Sequence, residues 1–197
     1  QVVVGPGEAV GRAFARAGWH VTETMSASST RKTVSTSVFG KRYLYSPISP
    51  LYVWERPQDL ALQKARATVD ERNHLRLWLA PVTLDGEHVW FGQISRDIGV
   101  RFTTKSPTIS THKIDPDVDE TRSCLLQELI YAEGVGAFAF ANGVGAAPLD
   151  APRGNLTGDP YFTDGNRVVM WLSAEPVAAD ELEVIDLRPY HTGHISD

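Results

Sequence analysis

The chain has 197 residues, 42% of them hydrophobic and 22% charged, with a net charge of −5 and a single cysteine. That composition is of an ordinary globular domain, long enough to bury a sizeable core. It excludes an internal disulfide, a Cys-rich zinc site and any run of 18 apolar residues able to span a bilayer. Charge is unevenly spread: residues 1–113 carry 15 Lys and Arg against 9 Asp and Glu, and residues 114–197 carry 4 against 15. The overall acidity argues against a duplex nucleic-acid partner, while the basic half suits a phosphate or another anionic group. No signal-peptide pattern opens the chain. It opens on Gln1 instead of methionine, from which a preceding segment able to hold a membrane anchor is expected.

In chain order, "QVVV" reads as a strand, and "GPG" turns into a helix over "EAVGRAFARAGW". Val10, Phe14 and Ala17 stand at helical spacing there, and Gly18 is the stop signal. "HVTETM" follows as a strand, residues 26–40 as a weak helix or loop, and "YSPISPLYVWERPQ" as an extended connection. From residue 58 the period becomes two, so "DLALQKA", "NHLRLWLAP", "HVWFGQIS" and "PTISTHKI" read as strands of a largely antiparallel sheet. "DPDVDETRSCLLQELIYAEG" is the clearest helix, with Asp115 as N-cap, Pro116 as first helical residue and Gly134 as terminator. "VGAFAF" and "RVVMWLS" are further strands around a Gly/Pro/Asn-rich loop at 143–160. Residues 1–173 form one expected domain, and 174–197 an acidic tail packed on it or trailing from it. The expected fold class is α+β: a mostly antiparallel sheet covered by two or three helices, a two-layer sandwich.

Asp85-Gly86 is a two-residue hairpin signal. Counted from that turn, His74 faces Asp97, Arg76 faces Ser95, Leu77 faces Ile94 and Trp78 faces Gln93. Alternation then gathers His74, Arg76, Trp78, Gln93, Ser95 and Asp97 on one polar face, with Leu75, Leu77, Leu79 and Ile94 on the other. A carboxylate beside an imidazole suits proton transfer or metal binding, and arginines beside them suit a phosphate. The candidate catalytic residues are His74, Asp97 and His112. Candidate ligand-binding residues are Arg72, Arg76, Trp78, Arg96 and Asp59. A divalent metal (zinc, manganese or iron) would draw on His74, Asp97, His112 and Asp115.

Within "THKIDPDVDETR" the acids fit a helix first turn, where the dipole favours negative charge. Glu120 and Leu126 stand where a calcium loop needs glycine and glutamate, so no EF-hand is present. His112, at the end of the preceding strand, is left unexplained by capping. "VVVGPGEAVG" lacks the repeated βαβ context of a dinucleotide site, and Ser95 lacks the glycine of a nucleophile elbow.

Taken in order, "GPGEAVGRAFARAGW", "SPISPLYVWERPQDL", "RNHLRLWLAP", "HVWFGQISRDIGV", "THKIDPDVDETR" and "NLTGDPYFTDG" resemble the LssY C-terminal domain family of bacteria, over roughly residues 2–173. Glu55 departs from that pattern, standing where a glycine commonly precedes Arg-Pro-Gln-Asp. The resemblance implies attachment to membrane modules such as phosphatidic-acid-phosphatase-like or DedA-like domains, and so a bacterial, membrane-associated setting. It carries over no catalytic residue. The expected function is an anionic-ligand, phosphate-headgroup or partner-binding module of a membrane-tethered protein. The alternative is a hydrolase of a phosphoester or lipid headgroup working through a His/Asp/Arg site.

Overall fold

A computed structural model describes residues 1–22, 48, 50–65, 72–102, 110–143, 145–155 and 158–187. The expected strand over 20–25 is described only in its first residues, and the weak helix or loop over 26–40 lies outside the described residues.

The chain enters through β1 (Val2–Val4) and α1 (Gly7–Arg16), then β2 (His20–Val21). A small hairpin follows, β3 (Tyr52–Val53) with β4 (Arg56–Pro57), and then β5 (Leu60–Ala65), β6 (Arg72–Leu84), β7 (Glu87–Phe102) and β8 (Ser110–Ile114). The second helix, α2 (Val118–Tyr131), leads into β9 (Val135–Asn142). After it come β10 (Arg153–Gly154), β11 (Pro160–Tyr161), β12 (Asn166–Leu172) and β13 (Glu183–Val184).

Nine of these strands form one mixed sheet in the order β13-β9-β12-β1-β7-β6-β5-β2, with β8 also on β7. The expected helix-covered two-layer sandwich is overturned by this sheet. Strands dominate, and the described residues hold two helices of 10 and 14 residues. At 1.5 Å per residue those helices are about 15 and 21 Å long, whereas eight strands side by side at 4.8 Å span roughly 35 Å. Each helix is only about 10–12 Å wide with its side chains, so the two leave much of the sheet face bare. The sheet is also less antiparallel than expected, because β1 inserts parallel to β12 and antiparallel to β7, and β13 lies parallel to β9.

One face of the sheet carries the main core. Val3, Leu62, Leu75, Leu77, Val168 and Met170 pack there with Phe14 of α1 and with Leu125 and Leu129 of α2. Alternation sends Val4, Ala139 and Val169 to the other face, where Trp171, Ile185 and Leu187 join them. Part of the acidic tail is therefore packed on the body.

Helix ends follow local chemistry. Gly18, left-handed at φ +75°, closes α1 as expected. At α2 the left-handed residue is Glu133, so Gly134 is not the terminator by conformation. Its missing side chain serves packing instead: a Cβ there would sit 2.9 Å from Ala13 Cβ, where the two helices meet.

Candidate functional site

The Asp85-Gly86 turn is real, with both residues left-handed (φ 52° and 84°) as a type I′ turn requires. Near it Thr83 pairs with His88 and Leu84 with Glu87, as the turn dictates. Between Leu79 and Thr83 the register then shifts, so Leu79 pairs with Trp90, Trp78 with Phe91, Leu77 with Gly92, Arg76 with Gln93, and His74 with Ser95. The expected facings of Trp78 on Gln93, Arg76 on Ser95 and Leu77 on Ile94 are corrected accordingly. Pro81, which has no amide to donate, sits inside the irregular segment. The offset is two residues, so every side chain keeps the face expected of it.

On the face opposite the helices, β6 and β7 therefore present a row. Trp78 stands with Phe91, Arg76 with Gln93, His74 with Ser95, and Arg72 leads toward Asp97. His74 is no longer directly opposite Asp97 but diagonal to it, and the side chains still meet. Nε2–H of His74 donates to Oδ2 of Asp97 at 2.6 Å, with Asp97 only 2% exposed. A buried carboxylate at that distance fixes the orientation of the imidazole ring. Arg76 donates to Oε1 of Gln93 at 3.1 Å. Burial draws its pKa below the ordinary guanidinium value, and the charge of Asp97 partly offsets this.

Arg96 and Asp115 belong elsewhere. Arg96 follows Ile94 onto the helix face, where it is 4% exposed and pairs with Asp115 (3.3 Å) and Glu120 (3.1 Å). Burial pulls its pKa down, but its contacts with Glu120 and Cys124 outweigh that and hold it above the usual value. The sheet thus separates Arg96 and Asp115 from His74 and Asp97, and the expected four-ligand metal set does not assemble. Among the described residues no three His, Cys, Asp or Glu side chains form a metal-binding group. His112 pairs with Val100 in β8, and its side chain lies outside what the structure describes. Asp59 is taken up locally: it accepts from Arg56 (2.6 and 2.5 Å) and from the Leu79 amide (2.7 Å), while Arg56 donates to the Leu79 carbonyl. Together they clamp β6 where its register slips.

The acids of "DPDVDETR" are all accounted for. The N-cap of α2 is Asp117, not Asp115, and its Oδ1 accepts from the amides of Asp119 and Glu120. Asp115 accepts from the Asp117 amide (3.0 Å) as well as from Arg96. Asp119 accepts from Arg122 (3.1 Å), the Thr163 hydroxyl (2.7 Å) and the Asp164 amide (2.6 Å). Arg122 also forks onto Asp164 at 2.8 and 3.0 Å. That fork holds the Asp164 carboxyl near pKa 2, against 3.8 ordinarily. The motif joins the start of α2 to the 163–166 turn; it is a structural joint.

Sequence reasoning missed the aromatic end of the row. Trp54 and Glu55, at φ 52° and 60°, form the tip of the β3–β4 hairpin. This places the Trp54 ring edge-on to Phe91, with centroids 5.5 Å apart and Arg56 over it at 5.8 Å. The cue was available: Glu55 occupies the position where a glycine is common, which marks a left-handed turn. Beyond the end of β1, where the amide of Gly92 bonds Gln1, an open groove of about 600 Å³ lies between β7 and β12. Trp54, Trp78, Phe91, Gln93 and Arg167 are among its walls.

Comparison with curated proteins and with solved structures finds no match. Comparison with protein families gives one model, LssY C-terminus, matching residues 2–166 and so taking in α1, the β5–β8 strands, the His74–Asp97 pair and the Asp119–Arg122–Asp164 joint. The chain belongs to the LssY C-terminus family.

Proposed function

We propose that this domain is a binding module for an anionic, phosphate-bearing ligand, serving a membrane-tethered bacterial protein. The observation that carries the reading is the row on β6 and β7, in which aromatic, cationic and acid/base side chains follow one another on a single sheet face. Arg76 supplies a charge that stays on at every physiological pH, in a partly desolvated setting where an anion interacts strongly. The membrane setting is supported by the family's usual company with membrane modules. A vesicle-flotation assay tests the reading. Binding to vesicles containing phosphatidic acid is expected to exceed that to phosphatidylcholine vesicles and to fall about tenfold in Arg76→Gln, the loss of one charge-assisted hydrogen bond. Equal binding to both vesicle types, unchanged in the variant, overturns it.

A second reading, hydrolysis of a phosphoester or lipid headgroup, is favoured by the 2.6 Å contact between His74 and Asp97. His74 would carry the proton and Asp97 would hold the ring. Turnover of a phosphodiester ester probe, abolished in His74→Gln and reduced in Asp97→Asn, would support it. A rate no higher in the native protein than in those variants, with and without added zinc or manganese, removes it.

A further inference from the structure

We propose that Cys124 is a site of reversible oxidation, where a sulfenic acid formed by hydrogen peroxide is held between Asn73 and Arg96. The site lies under α2, on the opposite face of the sheet from the Arg76 row, and is independent of the anion-binding reading. Glu120, Cys124 and Glu128 follow one another four residues apart, so they form one stripe along α2 with about 6 Å between neighbours. Lys64, Asn73 and Arg96 are direct cross-strand neighbours on β5, β6 and β7, spaced about 4.8 Å apart. They share the helix face with Leu62, Leu75 and Ile94, which stand two residues away on the same strands and pack in the main core. Ion pairs lock the stripe to the row at both ends: Arg96 to Glu120 at 3.1 Å, and Lys64 to Glu128 at 3.2 Å. Asn73 and Cys124 are the middle members, so the two clamps set them facing each other.

The atoms left unmet there point to a further group. Asn73 is 4% exposed, yet its Oδ1 has no hydrogen-bond partner among the described residues, and neither has Nε of the equally buried Arg96. Leaving a buried acceptor and a buried donor unmet is costly. The Arg96 guanidinium also donates to the Cys124 sulfur, and Cys124 is a free thiol partly open to solvent. A sulfenic acid adds one hydroxyl to that sulfur. Its proton is offered to Asn73 and its oxygen accepts from Arg96, so a single added group meets both needs. Thiol and hydrogen peroxide give sulfenic acid and water: the O–O bond breaks, one oxygen stays on the oxidised sulfur, and the other leaves as water with the thiol proton. The 197 residues hold no second cysteine, so an external thiol reverses the step. It forms a mixed disulfide with loss of water, and a second external thiol then exchanges to restore Cys124.

The full chain is treated with hydrogen peroxide, the excess is removed with catalase, and glutathione is added. Dimedone trapping at intervals, read by mass spectrometry, follows the sulfenic acid remaining on Cys124. A dimedone adduct on Cys124 is expected in the native protein. In Asn73→Leu, which keeps the side-chain size and removes the acceptor, the sulfenic acid should decay about fivefold faster, the worth of one neutral hydrogen bond. A second measurement needs no Asn73 variant. Because oxidation meets two buried atoms, the thermal midpoint of the native protein should rise by about 2–4 °C on peroxide treatment and return on reduction. Cys124→Ser should show no such rise, which separates the thiol from the two methionines. Absence of the adduct, or an equal decay in Asn73→Leu, overturns the inference. An unchanged or lower midpoint after oxidation would show that the buried atoms are already met by water, and an equal rise in Cys124→Ser that the thiol is not its source; either result overturns it too.

Discussion

Replacing Asp164 by asparagine tests the charge in the joint between α2 and the 163–166 turn. The Asp164 carboxyl is held at a pKa of about 2, against an ordinary 3.8, chiefly by its hydrogen bond from Arg122. A depressed folded-state pKa contributes stability that is fully present above the unfolded value and is lost as the pH falls through the folded one. Taken at face value the shift is worth at most about 2.4 kcal/mol. The side chain is 44% exposed, so solvent screening reduces this to about 1 kcal/mol. Asparagine keeps one oxygen for the Arg122 Nη1 and Asn166 donors, and removes the charge together with the second acceptor of the Arg122 fork. Urea unfolding of native protein and Asp164→Asn at pH 7, 5, 3 and 2 reads the effect. The native midpoint should be about 0.4 M higher at pH 7 and 5, with the gap narrowing below pH 4 and closing near pH 2. A gap of the same size at every pH would mean that geometry, not charge, is at stake, and would refute the argument. Identical midpoints at pH 7 would refute it as well.

Glu55→Gly should stabilise the protein by about 1 kcal/mol, because a non-glycine residue at φ 60° carries a left-handed penalty that glycine lacks. A rise of about 2–4 °C in thermal midpoint would show it, and no rise would mean the hairpin tip is held without strain. Gly134→Ala should cost about 1–3 kcal/mol by driving a methyl into Ala13 at 2.9 Å, and Ala13→Gly in the same chain should recover part of the loss. Denaturant midpoints of the single and double variants decide that. Asp97→Ala should cost about 3 kcal/mol, since it leaves His74 buried and Arg76 half-buried without the carboxylate that interacts with both. A loss under about 0.5 kcal/mol would place the dyad outside the fold's supporting contacts.

Local patterns in the sequence were legible where a single element determines them. The Asp85-Gly86 turn, the alternation of β6 and β7 and the apolar stripe of Leu125, Leu126 and Leu129 all follow from residues within a few positions of each other. Alternation also placed His74 and Asp97 on one face correctly, because period two survives any even offset in register. What failed was long-range. Nothing in "VVV" says that β1 separates β7 from β12, although that insertion makes the sheet mixed and too wide for the two helices of the described residues. The reading of Asp115 failed for a related reason. Proximity in sequence to His112 suggested one shared site, while the sheet sends Arg96 and Asp97, neighbours in the chain, to opposite faces. The aromatic end escaped notice because strands as short as Tyr52–Val53 and Arg56–Pro57 carry too few residues to show a period.

The two-residue slip between Leu79 and Thr83 has a consequence for handling the molecule. It uncouples the outer ribbon from the sheet, since pairing near Asp85 and pairing at His74 obey different offsets. Residues 81–88 are all exposed, so an added loop at the Asp85-Gly86 tip meets only solvent. An epitope or a fluorescent label inserted there should leave the His74–Asp97 contact and the groove undisturbed, giving a tether point from which ligand binding can be followed without touching the residues that perform it.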